Sequence, residues 1–172
     1  MVNLSSIVMS HRYLLLSPLF AALLIGGLPS CSRQPREDRI INVEANDAEM
    51  ESAIATAREK LPQFWQVFTH PEKGESDFSL KVRIKDGQGT EHFWVTQIER
   101  KEDGKIFGVI NNDPEIVKTV KLNDRVAVPE GDISDWLYTR DGKMVGNYTL
   151  RVLFKQMPPK EVQYYKQMMA EP

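Results

Sequence analysis

Glu91-His92 and Ser134-Asp135 place a histidine, two carboxylates and a hydroxyl in one chain of 172 residues. These are the side-chain types of a general base, its orienting partner and a nucleophile. Their spacing argues against a complete set, because adjacent Ser134 and Asp135 on a strand point to opposite faces. The sequence holds no nucleophile elbow, phosphate loop or zinc-binding helix pattern. His70, beside Pro71, reads as a loop residue. An enzyme reading, most naturally a hydrolase, therefore rests on His92 with carboxylates near Asp113 or Asp135, and the bland alternative makes His92 a partly buried sheet residue.

A second constellation is "NNDP" with "DISDW", which offers Asn111, Asn112, Asp113, Asp132 and Asp135 near strand ends. Gathered at one sheet edge, their oxygens would suit a hard cation or a polar ligand. Capping is the simpler reading. Asp113 precedes Pro114 and is held extended, as an N-cap needs, and Pro114 suits the first position of a short helix "PEIVKTV". No metal site and no cofactor are expected. Trp136 shares a strand face with Ser134 and Tyr138 under simple alternation, opposite Ile133, Asp135 and Leu137. One of those faces must therefore present aromatics to a pocket or partner, or be covered by a helix. Trp65 reads as core, and Tyr164, Tyr165, Met168 and Met169 as the docking side of a last helix.

The single cysteine, Cys31, has no disulfide partner and no metal-type neighbours. It follows a short positive region at Met9–Tyr13 and an apolar stretch at Leu14–Leu28, the build of a secretory leader over residues 1–30. Fifteen residues at about 1.5 Å each span roughly 22 Å, short of a bilayer's hydrocarbon core, so a membrane-spanning helix is disfavoured. Translation from Met9 rather than Met1 would suffice for this leader. Leu28-Pro29-Ser30-Cys31 resembles a bacterial lipobox, although Pro29 departs from the commoner residues at its position. The resemblance implies a lipoprotein, diacylglyceryl-modified at the Cys31 thiol and acylated, with palmitate for example, at the freed amine. Several acyl chains anchor stably where one does not. Ser32, where an aspartate would imply inner-membrane retention, points to the outer membrane with the domain facing the periplasm. Residues 31–46, opening with "CSRQPREDR", read as a polar tether.

The elements that must position the candidate residues follow from periodicity. Asn46 as N-cap with Glu49 three places on opens a helix to Leu61, with Met50, Ile54, Ala57 and Leu61 on its buried stripe. Pro62 starts a second helix, "PQFWQVF". From Phe78 the period becomes two: Phe78, Leu80, Val82 and Ile84 alternate with polar residues, and Asp86–Gly89 turns the chain into "TEHFWVTQIER". "KIFGVIN", Asp124–Pro129 and Ile133–Tyr138 supply a third, fourth and fifth strand, and Asp141-Gly142 turns towards "KMVG". Residues 148–157 fit either a strand or a helix, and helix is chosen. Pro159 opens a last helix. The expected class is α+β, an antiparallel sheet of about five strands packed with N-terminal and C-terminal helices. Residues 47–172 form its single domain, with 157–172 as a helical extension.

The composition, 41% hydrophobic and 27% charged, is that of one folded soluble body. Past residue 30 the chain carries 21 basic against 24 acidic residues, net −3. That balance excludes phosphate-dominated nucleic-acid binding. The blocks Leu61–Trp65, Glu91–Val95, Gly108–Pro114 and Ile133–Tyr138, in this order and spacing, resemble the YegJ-like bacterial family of unknown function. The likeness runs from about Asp47 to Phe154, with "GNYTLR" as a closing block. Asn123-Asp124 stands where the resemblance implies a Gly-Asp turn, and Asn tolerates the left-handed conformation such a turn needs. The resemblance implies a fold module and transfers no catalytic residue. The expected function is a membrane-anchored lipoprotein whose domain binds a cell-envelope partner. The alternative is an envelope hydrolase built on His92.

Overall fold

The computed structural model describes residues 48–170; the expected leader and tether, Cys31 and the cap expected at Asn46 lie outside the described residues. Helix α1 (Ala48–Glu59) and helix α2 (Leu61–Thr69) open the domain. Ala57, Leu61, Phe64 and Trp65 are buried, with Met50 and Ile54 half-buried beside them. The helical stripe is thus the one expected from its spacing.

Strands β1 (Glu75–Lys85) and β2 (Thr90–Arg100) pair antiparallel in a register that sets Lys81 opposite Trp94 and Arg83 opposite His92. Strand β3 (Ile106–Ile110) continues the meander, and β4 (Arg125–Ala127) closes that side. Strand β5 (Ile133–Arg140) does not extend the meander past β4. It crosses to pair with β1, and β6 (Lys143–Gly146) pairs with β5, giving the order β4-β3-β2-β1-β5-β6. The left-handed turn Asp141-Gly142 joins the last two, as hairpin twist requires. The fold is α+β with a six-stranded antiparallel sheet. Asn123 takes φ 70°, the left-handed conformation expected of it before β4.

One sheet face packs on α1 and α2. Leu80, Val82, Phe93, Val95 and Ile110 on that inner face are 0–1% exposed and share one core with Phe64, whose burial alone is worth about 2–3 kcal/mol. The opposite, outer face carries Lys81, Arg83, His92 and Trp94, which remain half-buried or exposed. At its β5–β6 end, helices α3 (Tyr148–Leu153) and α4 (Pro159–Met168) form a second small core of Leu150, Tyr165 and Met169 with Met144, Phe154 and Met157. Residues 148–157 are therefore helical at first, with a 3-10 turn at Phe154–Gln156. Gly146 is required where α3 leaves the sheet: it has φ +88°, and a Cβ there would lie 2.4 Å from the Trp136 carbonyl oxygen.

Two sequence expectations fail for identifiable reasons. The segment "PEIVKTV" after Pro114 is not a helix but a loop, because its N–H groups are claimed by another carboxylate. Strict alternation also breaks in β5. Lys81 pairs with Asp135 but Val82 pairs with Ile133, so Ser134 is the extra residue of a β-bulge. Ile133 consequently joins Trp136 and Tyr138 in the inner core, not the face opposite them.

Candidate functional site

Bulging at Ser134 decides what the outer face presents. The Ser134 hydroxyl donates to the Lys81 carbonyl at 3.1 Å. Its oxygen lies 2.8 Å from His92 Nδ1. With the hydroxyl proton spent on Lys81, Nδ1 carries the ring proton and donates to Ser134, which leaves Nε2 as an acceptor. Burial first, then the positive charges of Lys81, Arg83 and Arg58, push the imidazole down from its ordinary 6.5 to about 4. His92 is thus a neutral ring in a positive field, the partly buried sheet residue expected from the sequence.

Three basic side chains converge on the short segment Gly131–Ser134. Arg58, reaching from α1, donates from Nε to the Ile133 carbonyl at 2.9 Å and from Nη2 to that of Gly131 at 3.0 Å. Arg83 on β1 donates through Nη2 to Asp132 Oδ1 at 2.9 Å. His92 on β2 holds Ser134. Beside them the Lys81 ammonium stands 5.3 Å from the Trp94 ring centroid and donates to Thr149 Oγ1 at 3.3 Å.

Asp135, the other catalytic candidate, points to the same side as Ser134 because of the bulge, contrary to simple alternation. Its carboxylate is nevertheless engaged elsewhere. Oδ2 accepts from the N–H and O–H of Thr149 at 2.7 Å each, and Oδ1 from the Tyr148 N–H at 3.2 Å and the Trp136 N–H at 2.8 Å. Asp135 is fully buried. Burial pushes its carboxyl up, while Thr149, Lys81 and the Trp136 N–H pull it down. It serves as the cap of α3 supplied from a neighbouring strand. Among the described residues, no hydrogen bond joins His92 to a carboxylate.

The asparagine-rich segment lies apart from Asp132. The Asn111 N–H donates to the Trp94 carbonyl, and Asn112 Oδ1 accepts from the Trp94 N–H, both at 2.9 Å. Asn111 and Asn112 thus run beside β2 past the end of β3, whereas Asp132 pairs with Arg83 on β1, on the other side of β2. Asp113 is exposed and caps no helix. The carboxylate that gathers the following N–H groups is Glu91, which accepts from Glu115, Ile116 and Val117 at 2.9–3.2 Å. Trp136, named as a binding candidate, is 2% exposed, and its indole N–H donates to the Ala57 carbonyl at 2.8 Å. It is core. Among the described residues no group of three or more His, Cys, Asp or Glu side chains is placed to hold a metal ion. No helix among them is long and apolar enough to cross a membrane.

Sequence reasoning missed Arg58, Lys81 and Arg83, of which only Lys81 and Arg83 entered it, as polar residues alternating in β1. The alternation that placed Leu80 and Val82 inward already put Lys81 and Arg83 on the face of His92, and that was the available signal. An open groove of about 670 Å³ beside α4, lined by Phe154, Met157, Val162 and Lys166 among others, includes none of the candidate residues.

The sequence pattern of the bacterial family described as "Uncharacterized protein conserved in bacteria (DUF2314)" matches residues 47–170. The chain belongs to that family. The chain is similar to the "Uncharacterized protein YegJ" of Escherichia coli strain K12, 38% identical over 112 residues, covering 65% of this chain and 71% of that protein. A "Putative ankyrin repeat protein" of Neisseria meningitidis serogroup B is 34% identical over 131 residues, 71% of this chain but only 51% of its own length. No solved structure matches. The resemblance read from the four sequence blocks is therefore to the right family, and three of those blocks supply the face described above: Glu91–Val95, Gly108–Pro114 and Ile133–Tyr138.

Proposed function

We propose that this DUF2314 protein is a lipid-anchored component of the bacterial cell envelope that acts by binding, with the outer sheet face around His92 and Trp94 as its recognition surface. The anchor rests on the sequence: a short leader, a lipobox-like "LPSC" ending in Cys31, and a polar sequel that reads as a tether towards the periplasm, from the outer membrane by preference.

The observation that carries the binding reading is the pairing of His92 with Ser134. A serine nucleophile needs an open hydroxyl beside a base whose other nitrogen is oriented by an acceptor. Ser134 is 1% exposed and its proton goes to the Lys81 carbonyl. That arrangement suits a fixed, pre-oriented ring better than proton transfer. The 2.8 Å contact is also what favours the second reading, an envelope hydrolase using His92 with nearby carboxylates. In that reading Asp132 or Asp135 must leave its present partner to reach the ring.

Two measurements test the proposal. Wild-type protein should fractionate with membranes and incorporate labelled palmitate, and Cys31→Ser should do neither; a soluble, unlabelled wild type would sink the anchor. A photo-crosslinker placed at Trp94 should trap one envelope component that a crosslinker at Glu102, in the distant β2–β3 turn, does not. Identical adduct patterns at both positions would remove the recognition surface.

A further inference from the structure

Gly131–Ser134 receives basic side chains from three elements: Arg58 from α1, Arg83 from β1 and His92 from β2. Each is oriented by a different group of that segment, a carbonyl pair, a carboxylate and a hydroxyl. Orientation without full occupation is what a ligand site requires. Arg83 uses only Nη2 on Asp132, and its side chain is 49% exposed. Its remaining N–H groups have no partner among the described residues. Arg83 stands directly opposite His92 across the β1–β2 ladder, so these groups and Nε2 share one neighbourhood.

We propose that Arg83 and His92, supported by Arg58 and Lys81, bind a phosphate group at the junction of β1, β2 and β5. The assignment rests on the reading of this face as a recognition surface and gives it a ligand class. Arginine supplies a planar fork of donors that matches a tetrahedral oxyanion, and the charges of Lys81 and Arg58 act on His92 alongside that of Arg83. The neutral ring adds a second requirement. With its proton on Nδ1, His92 presents Nε2 as an acceptor, so the favoured anion is one that still carries a hydroxyl proton. Inorganic phosphate near neutral pH always does, a phosphomonoester does only in the fraction still singly charged, its second pKa being about 6, and sulfate does not. Asp132 then acts as a competitor already in place. A half-exposed ion pair of this kind is worth about 0–1 kcal/mol, so an incoming phosphate can displace it from Arg83.

The competitor makes the test directional. The full chain carrying Cys31→Ser, so that no lipid anchors it, is titrated with inorganic phosphate and with sulfate at equal ionic strength, following the side-chain NMR signals of Arg83 Nε and the His92 ring. Phosphate should shift both signals saturably and sulfate should bind several-fold more weakly. Arg83→Gln should weaken phosphate by about tenfold, the loss of one charge-assisted contact. Asp132→Asn should tighten it several-fold, an effect that a purely structural ion pair does not produce. Both side chains are at the surface, and unchanged unfolding midpoints verify the fold of each variant. Vesicles of phosphatidylcholine with and without phosphatidic acid then distinguish a lipid-borne phosphate from a free one. Equal responses to sulfate and phosphate, or weaker binding in Asp132→Asn, would overturn the site. Specific crosslinking at Trp94 together with a failed titration would leave the recognition surface standing with a ligand of different chemistry.

Discussion

Asp135 on β5 and Thr149 on α3 are joined twice, one carboxylate oxygen accepting from both the N–H and the O–H of Thr149 at 2.7 Å. This contact seats α3, and with it the second core of Leu150, Tyr165 and Met169, on the end of the sheet. Because Asp135 is 0% exposed, water cannot replace it. Asp135→Ala should therefore cost about 3–4 kcal/mol in urea unfolding, the magnitude for orphaning several buried donors. Asp135→Asn retains one oxygen and should lose less, about 1–2 kcal/mol. Amide exchange should accelerate in residues 148–153 before it does in β1 and β2. Wild-type stability in Asp135→Ala would show that α3 is held by its apolar contacts alone.

His92 gives stability a pH dependence whose sign follows from its environment. Its folded pKa lies near 4, below the ordinary 6.5, so between these values the unfolded chain binds a proton that the folded chain refuses. The contribution is fully present above pH 6.5 and is lost as pH falls towards 4. At about 1.4 kcal/mol per unit it amounts to at most about 3 kcal/mol. His92→Gln should flatten the stability profile across that window while leaving the profile below it unchanged. An equal slope in the variant would assign the dependence to the carboxylates instead.

What the sequence shows and hides on this face has a physical basis. Alternation in Phe78–Ile84 placed β1 correctly, because each inward residue is apolar and each outward one polar, so that a one-residue slip would invert the strand. Ile133–Tyr138 offers no such contrast: apolar Ile133 and polar Ser134 precede a second polar residue, and only pairing with β1 reveals that Ser134 is extra. A bulge is a property of two strands, and the partner was not readable from spacing because β5 skips β4 and returns to β1. The convergence on Gly131–Ser134 was hidden for the same reason. Arg58, Arg83 and His92 come from separate elements whose meeting depends on that crossover.

Glu91 shows how one buried carboxylate can replace a secondary-structure element. Asp113 and Pro114 are good helix-start residues, yet the N–H groups of Glu115, Ile116 and Val117 all point at the Glu91 carboxylate, and Lys118 donates to Asp86. Three consecutive amides directed at one anion form a backbone nest, and the chain stays in it because Val117, 0% exposed, is held in the core. This loop flanks Asn112, which binds the Trp94 backbone, so its order reaches the proposed recognition face. Glu91→Ala should cost about 3 kcal/mol through the unpaired amides. It should also raise amide exchange at residues 115–117 and broaden the Trp94 indole signal, with smaller effects at Asp135 and Thr149. If those amides stayed protected in Glu91→Ala, the loop would be held by the burial of Val117, and the nest would be a consequence of the loop's shape and not its cause.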